Sequence, residues 1–188
     1  MLDHLDARAA RRWVVDALEQ LTARRAEIDA LNVFPVPDSD TGTNMCLTLE
    51  AGAAAVNDVP ESDGLGEVAD AFARGALLGA RGSSGVILSQ LLRGWADAFT
   101  ERPDGGPAAV RAALVRAAEE AYAAVARPVE GTMLSVARAA AEGAQGRTLK
   151  EVVTGAVEAA RTALGRTTDQ LEVLHRAGVV DAGGRGLL

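Results

Sequence analysis

The stretch Asn32-Val-Phe-Pro-Val-Pro-Asp-Ser-Asp-Thr-Gly-Thr-Asn-Met45 interrupts the helical pattern of this chain more completely than any other. Pro35 and Pro37 fix φ near about −65° and push the residues before them into extended backbone, so the stretch reads as a stiff loop. Asp38 and Asp40 stand one residue apart within it. Two carboxylates presented together by a stiff loop point to a hard cation. Thr41, Gly42, Thr43 and Asn44 follow where a new helix is expected to begin.

On both sides of this loop the chain reads as helix. Leu5, Ala9, Trp13, Ala17 and Leu21 recur at helical spacing, with Arg8, Arg11, Arg12, Glu19, Arg24 and Arg25 on the polar side, which predicts a first helix over 3–28. The second runs from Gly42 or Thr43 to about Val56, with Met45, Leu47 and Leu49 as packing residues. Further helices are expected over 65–79, 86–99, 107–126, 133–141, 149–164 and 168–177. Pro107 is placed to be the first residue of its helix, and Gly178 to cap the end of the last. No strand-type alternation and no solenoid repeat appears. The fold expected is all-α, an antiparallel bundle or barrel of about eight helices. The final stretch, from Val179 to Leu188, stops as another helix could start, and its apolar end implies that the chain is part of something longer.

Composition excludes several classes. Hydrophobic residues make up 48% of the chain but aromatics only 3%, so the core must be built from Ala, Leu and Val, which favours closely packed helices. The net charge of −7 opposes non-specific nucleic-acid binding, which needs a basic stripe. The lone Cys46 rules out an internal disulfide and a cysteine zinc cluster. In an apolar helical pattern it reads as a core thiol. No run reaches the roughly 18 apolar residues of a membrane span, and the N-terminus has no apolar signal region. A cytoplasmic protein is expected.

Four breaks between helices are rich in Gly, Ser, Thr or Asp: 32–45, 79–85, 127–133 and 178–186. In an up-and-down bundle alternate connections share one end. The first three breaks follow the first, third and fifth helices and so fall together. The fourth follows an eighth helix and falls at the opposite end, unless one helix has been counted too many; we favour the miscount. Converging breaks would form a ring of helix starts, whose free N–H groups attract phosphates. Carboxylates beside phosphates require a cation between them, and Mg²⁺ takes one or two carboxylates together with phosphate oxygens and waters. The residues alone thus point to Mg-nucleotide binding without a P-loop, since no Gly-x-x-x-x-Gly-Lys-Ser/Thr occurs. Each element also has an ordinary reading. Asp-x-Asp is commonly a solvated turn or cap, Gly-Ser-Ser-Gly a linker, Thr132 a cap, and Asp181 a turn residue.

The first loop resembles the signature of the dihydroxyacetone kinase nucleotide-binding (DhaL-type) domain family. Its Asn-Val-Phe-Pro-Val-Pro-Asp start is similar to the branch found at the N-terminus of the bacterial fatty acid kinase catalytic subunit. Gly79-Ala-Arg-Gly-Ser-Ser-Gly-Val-Ile-Leu-Ser-Gln90, Glu130-Gly-Thr-Met133 and Val179-Val-Asp-Ala-Gly-Gly-Arg-Gly-Leu187 are similar to three further blocks, in order. The resemblance implies an eight-helix antiparallel barrel holding ATP or ADP at one end through two Mg²⁺ ions. It implies that Asp38 and Asp40 are the metal-holding, catalytic carboxylates. Thr41, Gly42, Thr43 and Asn44, with Gly82, Ser83 and Ser84, would meet phosphates. Thr132 and Met133 would border adenine and ribose, and Asp181, Ala182 and Gly183 would close the pocket.

Three departures stand out. The family's additional aspartate, five residues before the pair, is Val33 here, leaving Asn32 as the nearest candidate ligand. Ser39 replaces a usual Gly between the aspartates. If that position needs φ > 0, Ser would cost about 1 kcal/mol there. Ser83 stands where Asn is usual. The implied reaction is transfer of the γ-phosphoryl group of ATP to the carboxylate of a fatty acid presented by a separate fatty-acid-binding protein, with further domains of the same subunit taking part. A dihydroxyacetone-kinase-type subunit and a nucleotide-binding module without catalysis are the alternatives.

Overall fold

The computed structural model describes residues 3–188 and is all-helical. Its helices are α1 (Ala7–Ala30), α2 (Thr41–Asn57), α3 (Leu65–Leu78), α4 (Gly82–Glu101), α5 (Pro107–Ala123), α6 (Met133–Gly143), α7 (Leu149–Gln170), α8 (Glu172–Ala177) and α9 (Ala182–Gly186). Consecutive helices α1 to α7 pack on one another, and α9 lies against α1, α2 and α6, closing the bundle. The Arg185 Nε donates to Glu27 Oε1 at 2.7 Å across this closure.

Local chemistry sets the boundaries. Asp6 caps α1 by accepting the Ala9 N–H at 2.6 Å, so the helix starts four residues later than the periodicity predicts. Thr148 and Glu151 form a capping box on α7. Pro107 is at the first turn of α5, and Gly178 ends α8 in the left-handed conformation at φ 67. At the end of the bundle away from the four breaks, arginines hold loop carbonyls. Arg11 donates to Val56, Val59 and Pro60, and Arg111 to Ala144 and Gly146.

The core is alanine-rich, around Phe72, Phe99, Ile28, Met45, Leu134 and Val152. Cys46 is within it, and burial pushes its thiol pKa up, as fits a packing residue. Met45 and Leu49 are buried as expected, but Leu47 is 44% exposed, because two residues along a helix is about 200° around it. Trp13 is also 42% exposed. It stacks with Trp95 at 4.9 Å and meets Phe72 edge-on at 6.0 Å along an apolar groove. Among the described residues no helix is long and apolar enough to cross a membrane.

The expected break between two helices at 165–167 does not exist. α7 runs through it to Gln170, and α8 is a short helix joined to it by Leu171 alone. Gly165 has open space around it, while Ala160, Leu164 and Thr167 anchor the buried face on both sides. A lone helical glycine costs only about 1 kcal/mol, which that burial outweighs. The long helix therefore delivers the fourth break to the same end as the other three.

Candidate functional site

At that end a cavity of about 580 Å³ is walled by all four breaks. The first loop gives Phe34, Pro35 and Thr41. The start of α4 gives Gly82, Ser83, Ser84, Val86 and Ile87. The segment from α5 to α6 gives Ala124 to Arg127, Val129, Thr132, Met133 and Leu134. The last turn gives Asp181 and Gly183.

The starts of these helices differ in what already occupies their N–H groups. That of α4 has no side-chain cap, and its neighbouring serines stand at the cavity wall. It is held in place from α2. Thr48, fully buried, donates its hydroxyl to the Asn44 carbonyl at 2.7 Å and accepts the Arg81 N–H at 3.1 Å. Gly82 has φ 59, which favours glycine, and a Cβ there would press on the Asn44 side-chain amide. The start of α2 is partly engaged: Asp29 accepts both the N–H and the hydroxyl of Thr43, at 2.9 and 2.8 Å. The starts of α6 and α9 share one internal carboxylate. Asp181, 5% exposed, accepts the N–H of Gly184 at 2.7 Å and lies beside the Met133 N–H, while its own N–H donates to the Thr167 hydroxyl. Burial raises the Asp181 pKa to about 6 against the pull of the Gly184 and Met133 N–H groups.

Of the sequence-predicted residues, Thr41, Gly82, Ser83, Ser84, Thr132, Met133, Asp181 and Gly183 meet at the cavity wall. Asp38, Asp40, Asn32, Gly42, Thr43, Asn44 and Ala182 are not part of that wall. Gly42 and Thr43 face α1, where the Gly42 Cα abuts the Arg25 carbonyl and Asp29. Asn44 turns towards α4. The loop of Asp38 and Asp40 contains a cis bond between Phe34 and Pro35, and Ser39 has φ 55, the left-handed conformation that favours glycine.

Asn32 ties this loop together. It is 4% exposed, and its Nδ2 donates to Asp38 Oδ1 at 2.7 Å. Its Oδ1 is buried with no hydrogen-bond partner among the described residues. An orphaned amide oxygen beside a carboxylate is a donor set that fits a hard, oxygen-seeking cation. Among the described residues no three His, Cys, Asp or Glu side chains group as a metal cage. A metal held here would depend on one or two carboxylates and on ligand oxygens, the habit of Mg²⁺. Asp29 and Thr48 were not identified by sequence reading, and Arg127 and Glu130 only as members of the third break. The contacts Asp29–Thr43 and Thr48–Arg81 lie across loops, and no local pattern marks them.

Taken together, these features define an all-helical domain with a largely apolar cavity, edged by serine, threonine and aspartate side chains, at the end where its helix starts converge. The chain belongs to the DAK2 domain family, whose model matches residues 35–188. That family is one of nucleotide-binding, kinase-related domains. The chain is 43% identical to Protein YloV of Bacillus subtilis (strain 168) over 189 residues, covering 98% of this chain and 34% of that protein. It is 39% identical to an uncharacterized protein of Staphylococcus epidermidis (strain ATCC 12228) over 193 residues, covering all of this chain and 35% of the relative. With SAUSA300_1119 of Staphylococcus aureus (strain USA300) it shares 37% identity over 193 residues, covering 35% of that protein. The chain thus spans about a third of the length of the curated relatives it matches.

Proposed function

We propose that this domain binds Mg-ATP and serves a kinase that transfers the γ-phosphoryl group to the carboxylate of a fatty acid held by a separate acceptor protein. The observation that carries the nucleotide reading is the uncapped start of a 20-residue helix, α4, opening into a cavity that also takes in the first loop and the turn at Asp181. The amides at Gly82 and Ser83, with the hydroxyls of Ser83, Ser84 and Thr41, would donate to phosphate oxygens. Asp38 and Asn32, with Asp40, would hold Mg²⁺, which when bound supplies the positive charge that lets phosphates approach two carboxylates. Two ions are expected from the family resemblance.

The reaction forms a bond from the acceptor carboxylate oxygen to the γ-phosphorus and breaks the bond to the β–γ bridging oxygen, giving an acyl phosphate and ADP. A carboxylate is already a nucleophile and needs no general base, which fits a cavity wall without a histidine. Completion of this chemistry is proposed for a longer subunit whose N-terminal part is this domain, acting in the cytoplasm with its further domains and the acceptor protein. Calorimetric titration with ATP and ADP in Mg²⁺ tests the reading. Wild type should bind both, and Asp38→Asn and Asp40→Asn should each weaken binding by about tenfold or more, the scale of a lost charge-assisted contact. No binding by wild type, or wild-type affinity in both variants, would overturn it.

A further inference from the structure

Glu130 is outside the cavity wall, yet three side chains donate to its carboxylate. Arg138, in the second turn of α6, donates from both terminal nitrogens, at 2.9 Å to Oε1 and 2.6 Å to Oε2. Ser135 donates its hydroxyl to Oε2 at 2.6 Å, and Tyr122, on the last turn of α5, donates to Oε1 at 3.2 Å. The Arg138 guanidinium also covers the Tyr122 ring, 5.2 Å from its centre. Ser135 in turn accepts the N–H of Gly131 at 2.9 Å, at a residue with φ 80. Arg138 first, then Ser135, hold the Glu130 carboxyl below its usual range, so it is charged near neutrality.

An isolated, half-exposed ion pair contributes little. This one is a bidentate arginine pair shared with two hydroxyls. It also spans a particular gap. Tyr122 ends α5 and Arg138 lies within α6, so the clamp fastens together the two helices that flank the segment 124–132. That segment forms one cavity wall through Ala124 to Arg127, Val129 and Thr132. The wall is mostly apolar. The α6 start beside it already faces the Asp181 carboxylate, which opposes a phosphate there. Phosphates therefore belong at α4, and the nucleoside belongs along this wall.

We propose that Glu130 is a positioning residue for the nucleoside: by holding the 124–132 wall through Arg138, Ser135 and Tyr122, it sets how tightly base and ribose are gripped without touching them. The inference rests on the nucleotide reading above. The test is calorimetric titration of the whole protein with Mg-ATP and, separately, with Mg-tripolyphosphate, alongside thermal melting. Glu130→Gln and Arg138→Met should each weaken ATP by about tenfold, with the double variant no weaker than either single one, while tripolyphosphate affinity stays within about twofold. Tyr122→Phe removes one hydroxyl only and should weaken ATP by about two- to threefold, which keeps the test open if a charge variant fails to fold. Unchanged ATP affinity in Glu130→Gln, or equal losses for ATP and tripolyphosphate that follow the melting temperature, overturns this inference alone. A wild-type protein that binds neither ligand overturns the nucleotide reading and this inference with it.

Discussion

The side-chain amide of Asn32 gives its nitrogen to Asp38 at 2.7 Å and keeps its oxygen buried without a partner among the described residues. If that oxygen is only an unsatisfied acceptor, an apolar residue of similar size should be neutral or stabilising. If it holds a cation, the same replacement should cost function. Asn32→Leu is expected to stay within about 1 kcal/mol of wild-type stability and to lose about tenfold or more in Mg-dependent ATP affinity. Asn32→Asp places a second carboxylate beside Asp38, so it should melt lower without metal and recover in Mg²⁺. Melting and titration with and without Mg²⁺ check both, and full ATP affinity in Asn32→Leu would remove Asn32 from the metal site.

Ser39, exposed between the two aspartates, has φ 55. A left-handed residue with a Cβ is strained by about 1–2 kcal/mol, whereas glycine is not but loses more chain entropy on folding. Ser39→Gly should therefore gain about 0.5 kcal/mol net, a rise of about 1–2 °C in Tm for a chain of this size. A β-branched side chain resists this conformation further, so Ser39→Val should lower Tm. Equal melting of all three proteins would mean the loop is not held in this conformation in solution.

The helices were legible because Ala, Leu and Val recur at helical spacing between breaks rich in Gly, Pro, Ser and Asp. The positions of the breaks were legible for the same reason, and Ser83, Ser84, Thr132 and Asp181 were legible as residues of those breaks, although α4 begins at Gly82 and not at Val86. The two helices expected over 149–164 and 168–177 are joined through 165–167 because the buried face continues there, and Thr167 is fully buried. The bonds that join one break to another were not legible. Asp29 reaches Thr43 across 14 residues and Thr48 reaches Arg81 across 33, and neither distance leaves a periodic trace. Glu130 was legible only as the first residue of the Glu130-Gly-Thr-Met133 block; its bonds to Tyr122 and Arg138, eight residues to either side, form only when α5 and α6 fold back on each other.

Asp181 makes stability depend on pH in a defined direction. Its folded pKa is raised from 3.8 to about 6, so the folded protein takes up this proton before the unfolded chain does. The stabilisation from protonation is fully present below about pH 4 and is lost as the pH rises through about 6; its size is on the order of 3 kcal/mol. Asp181→Asn removes the titration while keeping an oxygen for one of the two N–H groups. The stability of wild type relative to Asp181→Asn should therefore increase as the pH falls from 7 to 4, measured by urea unfolding across that range. Parallel pH curves for the two proteins would show that Asp181 does not titrate in this window.

Gly85 and Thr48 should behave as one unit. A Cβ on Gly85 would meet the Thr48 Oγ1 at 2.3 Å, but only ordinary contact at 3.4 Å with the Thr48 Cβ. Gly85→Ala alone should thus destabilise by about 1–3 kcal/mol, because Thr48 is fully buried and cannot swing away. Thr48→Ala alone leaves the Arg81 N–H without its acceptor and should cost about 1–3 kcal/mol. In the double variant the clash is gone and alanine is a better helix former than glycine, so it should be at least as stable as Thr48→Ala. Because the same hydroxyl holds the start of α4, every variant lacking it should also lose phosphate affinity, read as weaker Mg-tripolyphosphate binding. Additive losses in the double variant, or tripolyphosphate binding that ignores Thr48, would separate this contact from the site.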